Sequence, residues 1–177
     1  MEENYCRRCG SPLEQKGYRY FVCEQNHQIY INPRPTNGIF IFNSDGNALL
    51  SRRGIEPGKG MLDTFGGFIE LDETAEQSAM RELKEETGLT EKDYEPLRYL
   101  ASGVGKYPFD GDILPVLTFF YWTRLIGDTK LTAADDVAEI IELPLNAIDP
   151  QQLHSDDVRT GLTALKEHFE KENSHGL

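Results

Sequence analysis

Apolar and polar positions along this chain fall into blocks of two kinds. Gly38 to Asn43 and Ala48 to Arg53 are apolar, β-favouring runs separated by Ser44, Asp45, Gly46 and Asn47, so the spacing predicts a hairpin. Leu97 to Val104 and Ile113 to Ile126 are also β-rich, and Phe119, Phe120, Tyr121 and Trp122 in the second read as core. A further strand is expected near Glu139 to Leu143, after an acidic loop with Asp135 and Asp136. Two segments carry the helical period instead. From Thr74 to Gly88 the small or apolar residues Ala75, Ala79, Leu83 and Thr87 recur every fourth position, with Asp72, Glu73 and Thr74 as polar starters and Gly88 as the stop. From Ser155 to Lys171, Val158, Leu162, Leu165 and Phe169 lie at helical spacing, Ser155 offers a cap, and the tail from Glu172 is expected to fray. Periodicity alone gives an α+β class, with no internal repeat.

On the first helix Glu82, Glu85 and Glu86 stand nearly opposite the packing face, three carboxylates within about 6 Å of one another. Such anions repel unless a cation sits among them, and hard ions such as Mg²⁺ or Mn²⁺ prefer oxygen ligands. Gly66 and Gly67 lie just upstream, where a backbone carbonyl, Gly66 in particular, can approach the same ion. A solvated acidic face is the ordinary alternative for any one triplet.

The 177 residues, 38% hydrophobic, suffice for one full core plus a small appendage. No run approaches the roughly 20 apolar residues of a membrane span, and the amino-terminal residues lack a signal-peptide core, so a cytoplasmic protein is expected. A net charge of −12 argues against nucleic acid or acidic membranes as partners. The acidity is local: residues 70–95 hold ten acidic and three basic side chains, so an anionic phosphate substrate would be repelled there without a divalent ion.

Three cysteines make a disulfide framework a poor explanation. Cys6 and Cys9 form a close pair backed by Gly10, and Cys23 is followed by His27, together a Cys3His set suited to structural zinc. Tyr18 to Val22 reads as a strand of a small hairpin between them, and so short a unit would draw much of its folding free energy from the metal. Asn32, Pro33, Arg34 and Pro35 form a stiff connector, which sets a zinc ribbon over 1–34, a main domain over 35–172 and a tail over 173–177.

The stretch from Gly67 to Leu89 fills every fixed position of the Nudix box, with Gly67, Glu73, Arg81, Glu82, Leu83, Glu85, Glu86, Gly88 and Leu89. The chain therefore resembles a Nudix hydrolase with an amino-terminal zinc ribbon. That resemblance implies a mixed-sheet α/β/α sandwich and hydrolysis of a nucleoside diphosphate linked to another moiety, with Mg²⁺ or Mn²⁺ as catalytic cofactor. It also implies that Glu82, Glu85 and Glu86 share metal ligation and base duties, that Arg81 orients a glutamate and that Glu73 completes the pairing. Some members recruit a glutamate outside the box, for which Glu139 is a candidate. An arginine ending the second strand often reaches the phosphates in this family, which points to Arg53. Phe65 departs from the proline usual before the paired glycines, and Asn26 occupies the place nearest a second ribbon Cys, so that His27 stands in for it.

The ribbon, the Asn32 to Pro35 connector and a Tyr107, Pro108, Phe109 loop resemble the NADH-pyrophosphatase branch, though the residues flanking the loop depart from its SQPWPFPxS motif. The expected substrates are NAD(H) or ADP-ribose, with Tyr107 or Phe109 stacking on a base. A homodimer is compatible with the sequence. A catalytically silent Nudix sensor of ADP-ribose, or a Nudix hydrolase of a different nucleotide, is the alternative. A sensor would be expected to have lost box carboxylates, and none is lost here. A nucleic-acid-binding ribbon would show a basic face, whereas residues 1–35 hold five basic and four acidic side chains.

Overall fold

The computed structural model describes residues 4–175; the first three residues of the expected ribbon and residues 176 and 177 of the expected tail lie outside the described residues. The ribbon is a three-stranded antiparallel sheet of β1 (Leu13–Gly17), β2 (Tyr20–Cys23) and β3 (Gln28–Tyr30). Among the described residues its buried core is Cys6, Phe21, Cys23 and Ile29, with Cys9, Leu13 and Ile31 packed at its edge. Two tight turns present the cysteines. Gly10 takes φ 73 and donates its N–H to Cys6 O at 2.7 Å, and Asn26 takes φ 60 with its N–H on Cys23 O at 2.8 Å. Asn26 thus supplies the left-handed turn that swings His27 toward the cysteines.

The main sheet contains β4 (Arg34–Phe42), β5 (Ala48–Arg53), β6 (Leu62–Asp63), β7 (Arg98–Phe109), β8 (Asp112–Arg124) and β9 (Val137–Leu143). Its order is β6-β5-β4-β8-β7, with β9 also paired to β5. β4 and β8 run parallel from Arg34 opposite Val116 to Phe42 opposite Arg124, whereas the other pairs are antiparallel. The expected hairpin of β4 and β5 forms, but it pairs only at Ile41 with Leu49 and Phe42 with Ala48, because the same edge of β4 is taken further back by Phe65 and Gly67, which hydrogen-bond Ile39 and Asn37.

Alternation along the central strands feeds two separate cores. Phe40, Phe42, Phe120 and Trp122 face α2 (Asp156–His175), where they meet Val158, Leu162 and Leu165. Ile39, Ile41 and Tyr121 face α1 (Ala75–Thr87), where they meet Ala79 and Leu83. A helix on each face of a mixed sheet is the α/β/α sandwich that the box implies. The last helix continues to His175, past the residue where fraying is expected.

Residues 107–109 correct another expectation, since Tyr107 and Phe109 lie at the end of β7 and not in a loop. Asp110 and Gly111, both at positive φ (47° and 78°), close a two-residue hairpin directly onto β8. Phe65 also finds its reason here. It is fully buried and exchanges backbone hydrogen bonds with Ile39, and a proline could not donate its half of that pair. No helix among the described residues is long and apolar enough to cross a membrane.

Candidate active site

Helix α1 is placed by its own ends and by one polar pin. Thr74 caps it through a reciprocal pair with Gln77, and Gly88 ends it at φ 74. Asn37 on β4 donates to Ser78 Oγ at 2.7 Å, which fixes the helix against the sheet. The residues before the helix must be glycine for a steric reason. A Cβ on Gly67 would stand 2.6 Å from Glu82 Oε1, and one on Gly66 would strike the backbone oxygen of Asn37. The glutamate face can therefore press against the loop.

Arg81 organises that face. Its Nε and Nη2 hold Glu73 in a bidentate pair at 3.1 and 2.7 Å, while Nη1 donates to Glu82 at 2.8 Å and Glu85 at 2.9 Å. Nη2 further reaches Phe68 O and Ser78 Oγ. The paired guanidinium, with the Glu70 N–H, holds the Glu73 carboxyl down to about 2, and the Glu73 hydrogen bonds push Arg81 upward in turn. Glu82 and Glu86 are driven the other way. Burial is the main cause for both, and it pushes Glu86 up to about 8 against the Gly66 N–H that donates to it at 2.8 Å. The charges of Glu82, Asp63 and Asp135 add to that rise.

These carboxylates form one wall of a cavity of about 390 Å³. Arg53 lies in another part of the lining, where its Nη1 donates to Asp63 at 2.7 Å and its Nε to Pro57 O at 2.7 Å. Tyr107 lines the same space, its ring edge-on to Phe68 at 5.4 Å. Phe109 does not. It is 59% exposed and sits with Arg34, Phe68 and Leu114 in a shallower neighbouring groove, so Phe68 separates the two expected aromatic contacts. Glu139 is also outside: it extends from β9 to pair with Arg52 at 3.0 Å on the exposed side of β5.

The rest of the lining includes residues that no motif marks. Asp135, Asp136 and Asp63 bring further carboxylates near the glutamates, and His154, Ser155 and Asp157 approach from the start of α2. The acidic loop was visible as composition only, and nothing local to residues 154–157 signals that a distant turn brings them to the box.

In the amino-terminal sheet unit, the ligand atoms of Cys6, Cys9, Cys23 and His27 all lie within 4.8 Å of one another, an arrangement that could hold a metal ion. Cys9 Sγ is 3.7 Å from Cys23 Sγ, and Cys6 Sγ is 3.6 Å from His27 Nδ1. Ser11, through its side chain and backbone, holds the Cys9 thiol down to about 6, while burial raises Cys23.

The NUDIX domain family matches residues 32–162. The chain belongs to the Nudix family. It is similar to an ADP-ribose pyrophosphatase of Methanocaldococcus jannaschii, 32% identical over 76% of this Nudix chain and 79% of that protein. An NAD-capped RNA hydrolase of Stutzerimonas stutzeri is 31% identical over 60% of this chain but only 38% of its own length, so the likeness spans well under half of that relative. Among solved structures, a Nudix hydrolase from Nitrosomonas europaea shares the fold with a TM-score of 0.68 at 21% identity, covering 98% of this chain and 93% of that one.

Proposed function

We propose that this Nudix chain hydrolyses a nucleoside diphosphate linked to a second moiety, NAD(H) or ADP-ribose, between the two phosphates, with water as the attacking group and Mg²⁺ or Mn²⁺ as cofactor. The observation that carries this reading is the gathering of Glu82, Glu85 and Glu86 in the cavity lining beside Gly66 and Gly67, where Gly66 N–H donates to Glu86 at 2.8 Å. Three clustered carboxylates are suited to a divalent cation, which would offset their mutual repulsion. Glu82, Glu85, Glu86 and the Gly66 carbonyl would hold that ion. Bound there, it would neutralise phosphoryl oxygens and lower the pKa of water.

The chain's own residues do the rest. Arg81 locks Glu82 and Glu85 in place through one guanidinium nitrogen and anchors itself on Glu73, so the carboxylates are preorganised before substrate arrives. A cavity carboxylate takes the proton of the attacking water, and Arg53, held at the rim of the negative field by Asp63, offers a cation toward the phosphates. Tyr107 presents an aromatic face for a base. The similarity to an ADP-ribose pyrophosphatase over most of both chains supports the substrate class.

The ribbon is read as a structural zinc site formed by Cys6, Cys9, Cys23 and His27. With Zn–S of about 2.3 Å and Zn–N of about 2.0–2.1 Å, a tetrahedral ion requires S···S of about 3.8 Å and S···N of about 3.6 Å. The separations of 3.7 and 3.6 Å in the cluster agree with both.

A product-chromatography screen over NADH, ADP-ribose, dinucleoside polyphosphates, sugar nucleotides and nucleoside triphosphates tests the reading. Preferred Mg²⁺-dependent cleavage of NADH or ADP-ribose supports it. A nucleoside triphosphate as best substrate rejects the substrate class, and inactivity on all of them, with ADP-ribose still bound, points to a sensor.

A further inference from the structure

The cavity lining includes three residues at the start of α2, and two of them carry buried polar atoms with no hydrogen-bond partner. An acid in a first helical turn needs no ligand, and Asp156 fills that part, exposed and paired with Arg159 at 2.6 Å. Asp157 is different. It is 6% exposed, lines the cavity, and accepts a hydrogen bond through Oδ2 from Thr118, which is itself bonded to Thr36 at 2.7 Å. Its Oδ1 lies over Gly105, where a Cβ would collide with it, so a bare backbone keeps that oxygen in place.

His154 and Ser155 join it with unused polar atoms. The His154 side chain is only 10% exposed, and its Nδ1 stands 3.3 Å from Asp63 Oδ2, within ion-pair range but out of line for a hydrogen bond, so the nitrogen has no hydrogen-bond partner. Ser155 Oγ is buried and likewise without a partner. Leaving such groups unpaired is costly unless something fills the site. The ring of His154 stands 6.5 Å from that of Tyr107, so whatever lies against residues 154–157 adjoins whatever lies on Tyr107.

We propose that His154, Ser155 and Asp157 form a subsite for the unphosphorylated ribose diol next to the base, selecting nucleotides with a free 2′-hydroxyl against their 2′-phosphates; the identity of the ligand as a nucleotide rests on the diphosphatase reading above. The chemistry of the set dictates the choice. A carboxylate can only accept, so Asp157 suits hydroxyl donors, while Ser155 can both donate and accept. A helix amino terminus by itself would invite a phosphate, but the Asp157 carboxylate in the cavity lining repels one. The same logic lets an acidic side chain read a ribose hydroxyl in dinucleotide folds of unrelated architecture.

Titration calorimetry with AMP and with adenosine 2′,5′-bisphosphate tests the subsite without requiring turnover, since neither contains a diphosphate linkage. AMP is expected to bind the parent protein about tenfold or more tightly than the 2′,5′-bisphosphate, the scale set by one mismatched buried polar group. Asp157→Asn is expected to narrow that gap to about threefold, and Ser155→Ala, which alters no charge, to weaken AMP about fivefold. Equal binding of the two nucleotides by the parent, no binding of either, or an unchanged gap in Asp157→Asn with unchanged AMP affinity in Ser155→Ala would overturn the subsite. If Asp157→Asn does not fold, the parent ratio and Ser155→Ala decide alone. Hydrolysis of ADP-ribose judges the diphosphatase reading separately, so the two can fail independently.

Discussion

Replacing Glu86 by Gln removes a buried titratable group without removing volume, and the structure makes a specific forecast for protein free of divalent ions. Glu86 goes from an ordinary carboxylate value of 4.5 to about 8 in the fold. Between those values the folded chain binds more protons than the unfolded one, so stability falls as pH rises through that window. At about 1.4 kcal/mol per decade, raising pH from 5 to 7.5 would cost the parent up to about 3 kcal/mol from this residue. For a chain of this size that corresponds to a fall in Tm of about 6–12 °C. Glutamine does not titrate, yet it can still accept the Gly66 N–H. Thermal unfolding of parent and Glu86→Gln, in Mg²⁺-free buffer at pH 5 and pH 7.5, reads the difference. The variant is expected to lose several degrees less than the parent over that interval, and saturating Mg²⁺ is expected to rescue the parent at pH 7.5 but not to help the variant equally. Parallel pH slopes for the two proteins would refute the argument that burial and neighbouring carboxylates strain this site.

Gly67→Ala places a Cβ 2.6 Å from Glu82 Oε1, so it should cut kcat by about tenfold or more while unfolding changes little; unchanged steady-state rates would contradict it. Arg81→Lys keeps the charge but cannot make the bidentate pair with Glu73 while holding Glu82 and Glu85, and should cost about 2–4 kcal/mol of transition-state stabilisation in kcat/KM. Tyr107→Ala is expected to raise KM for ADP-ribose about 5- to 150-fold, as loss of roughly 1–3 kcal/mol of base stacking would, whereas Phe109→Ala, outside the cavity, should change it less. Metal analysis should find about one zinc per chain, lost in Cys9→Ser while Mg²⁺-dependent hydrolysis persists.

Much of helix α1 is legible because its information is local: Thr74 caps it and Gly88 stops it as expected. The glutamates are not opposite the packing face, however, since at about 100° per residue Glu86 projects between Ala75 and Ala79 and is buried beside Ala79 and Leu83. The sheet was legible as strands but not as a topology. The parallel pairing of β4 with β8 joins Arg34 to Val116, and a single chain carries no local mark of which partner wins. The end of β7 reads as a loop in the sequence although Asp110 and Gly111 are a strong two-residue turn signal, because Gly103, Gly105 and Pro108 weaken the strand pattern before it. The glutamate wall of the site could be read from spacing. The opposite wall could not, since Asp63, Asp135 and residues 154–157 meet only through the fold, and Glu139, an acidic residue in the right part of the sequence, is turned away by the register of β9 on β5.

Hydrolysis of ADP-ribose in ¹⁸O-labelled water reads the bond cleaved, the need for metal and the part played by Glu86 together. AMP and ribose 5-phosphate are expected in equal amounts, with one labelled oxygen per turnover carried by the monophosphates, a requirement for Mg²⁺ or Mn²⁺, and loss of labelling in Glu86→Gln. Cleavage that proceeds without a divalent ion, or labelling that Glu86→Gln leaves intact, would contradict this mechanism.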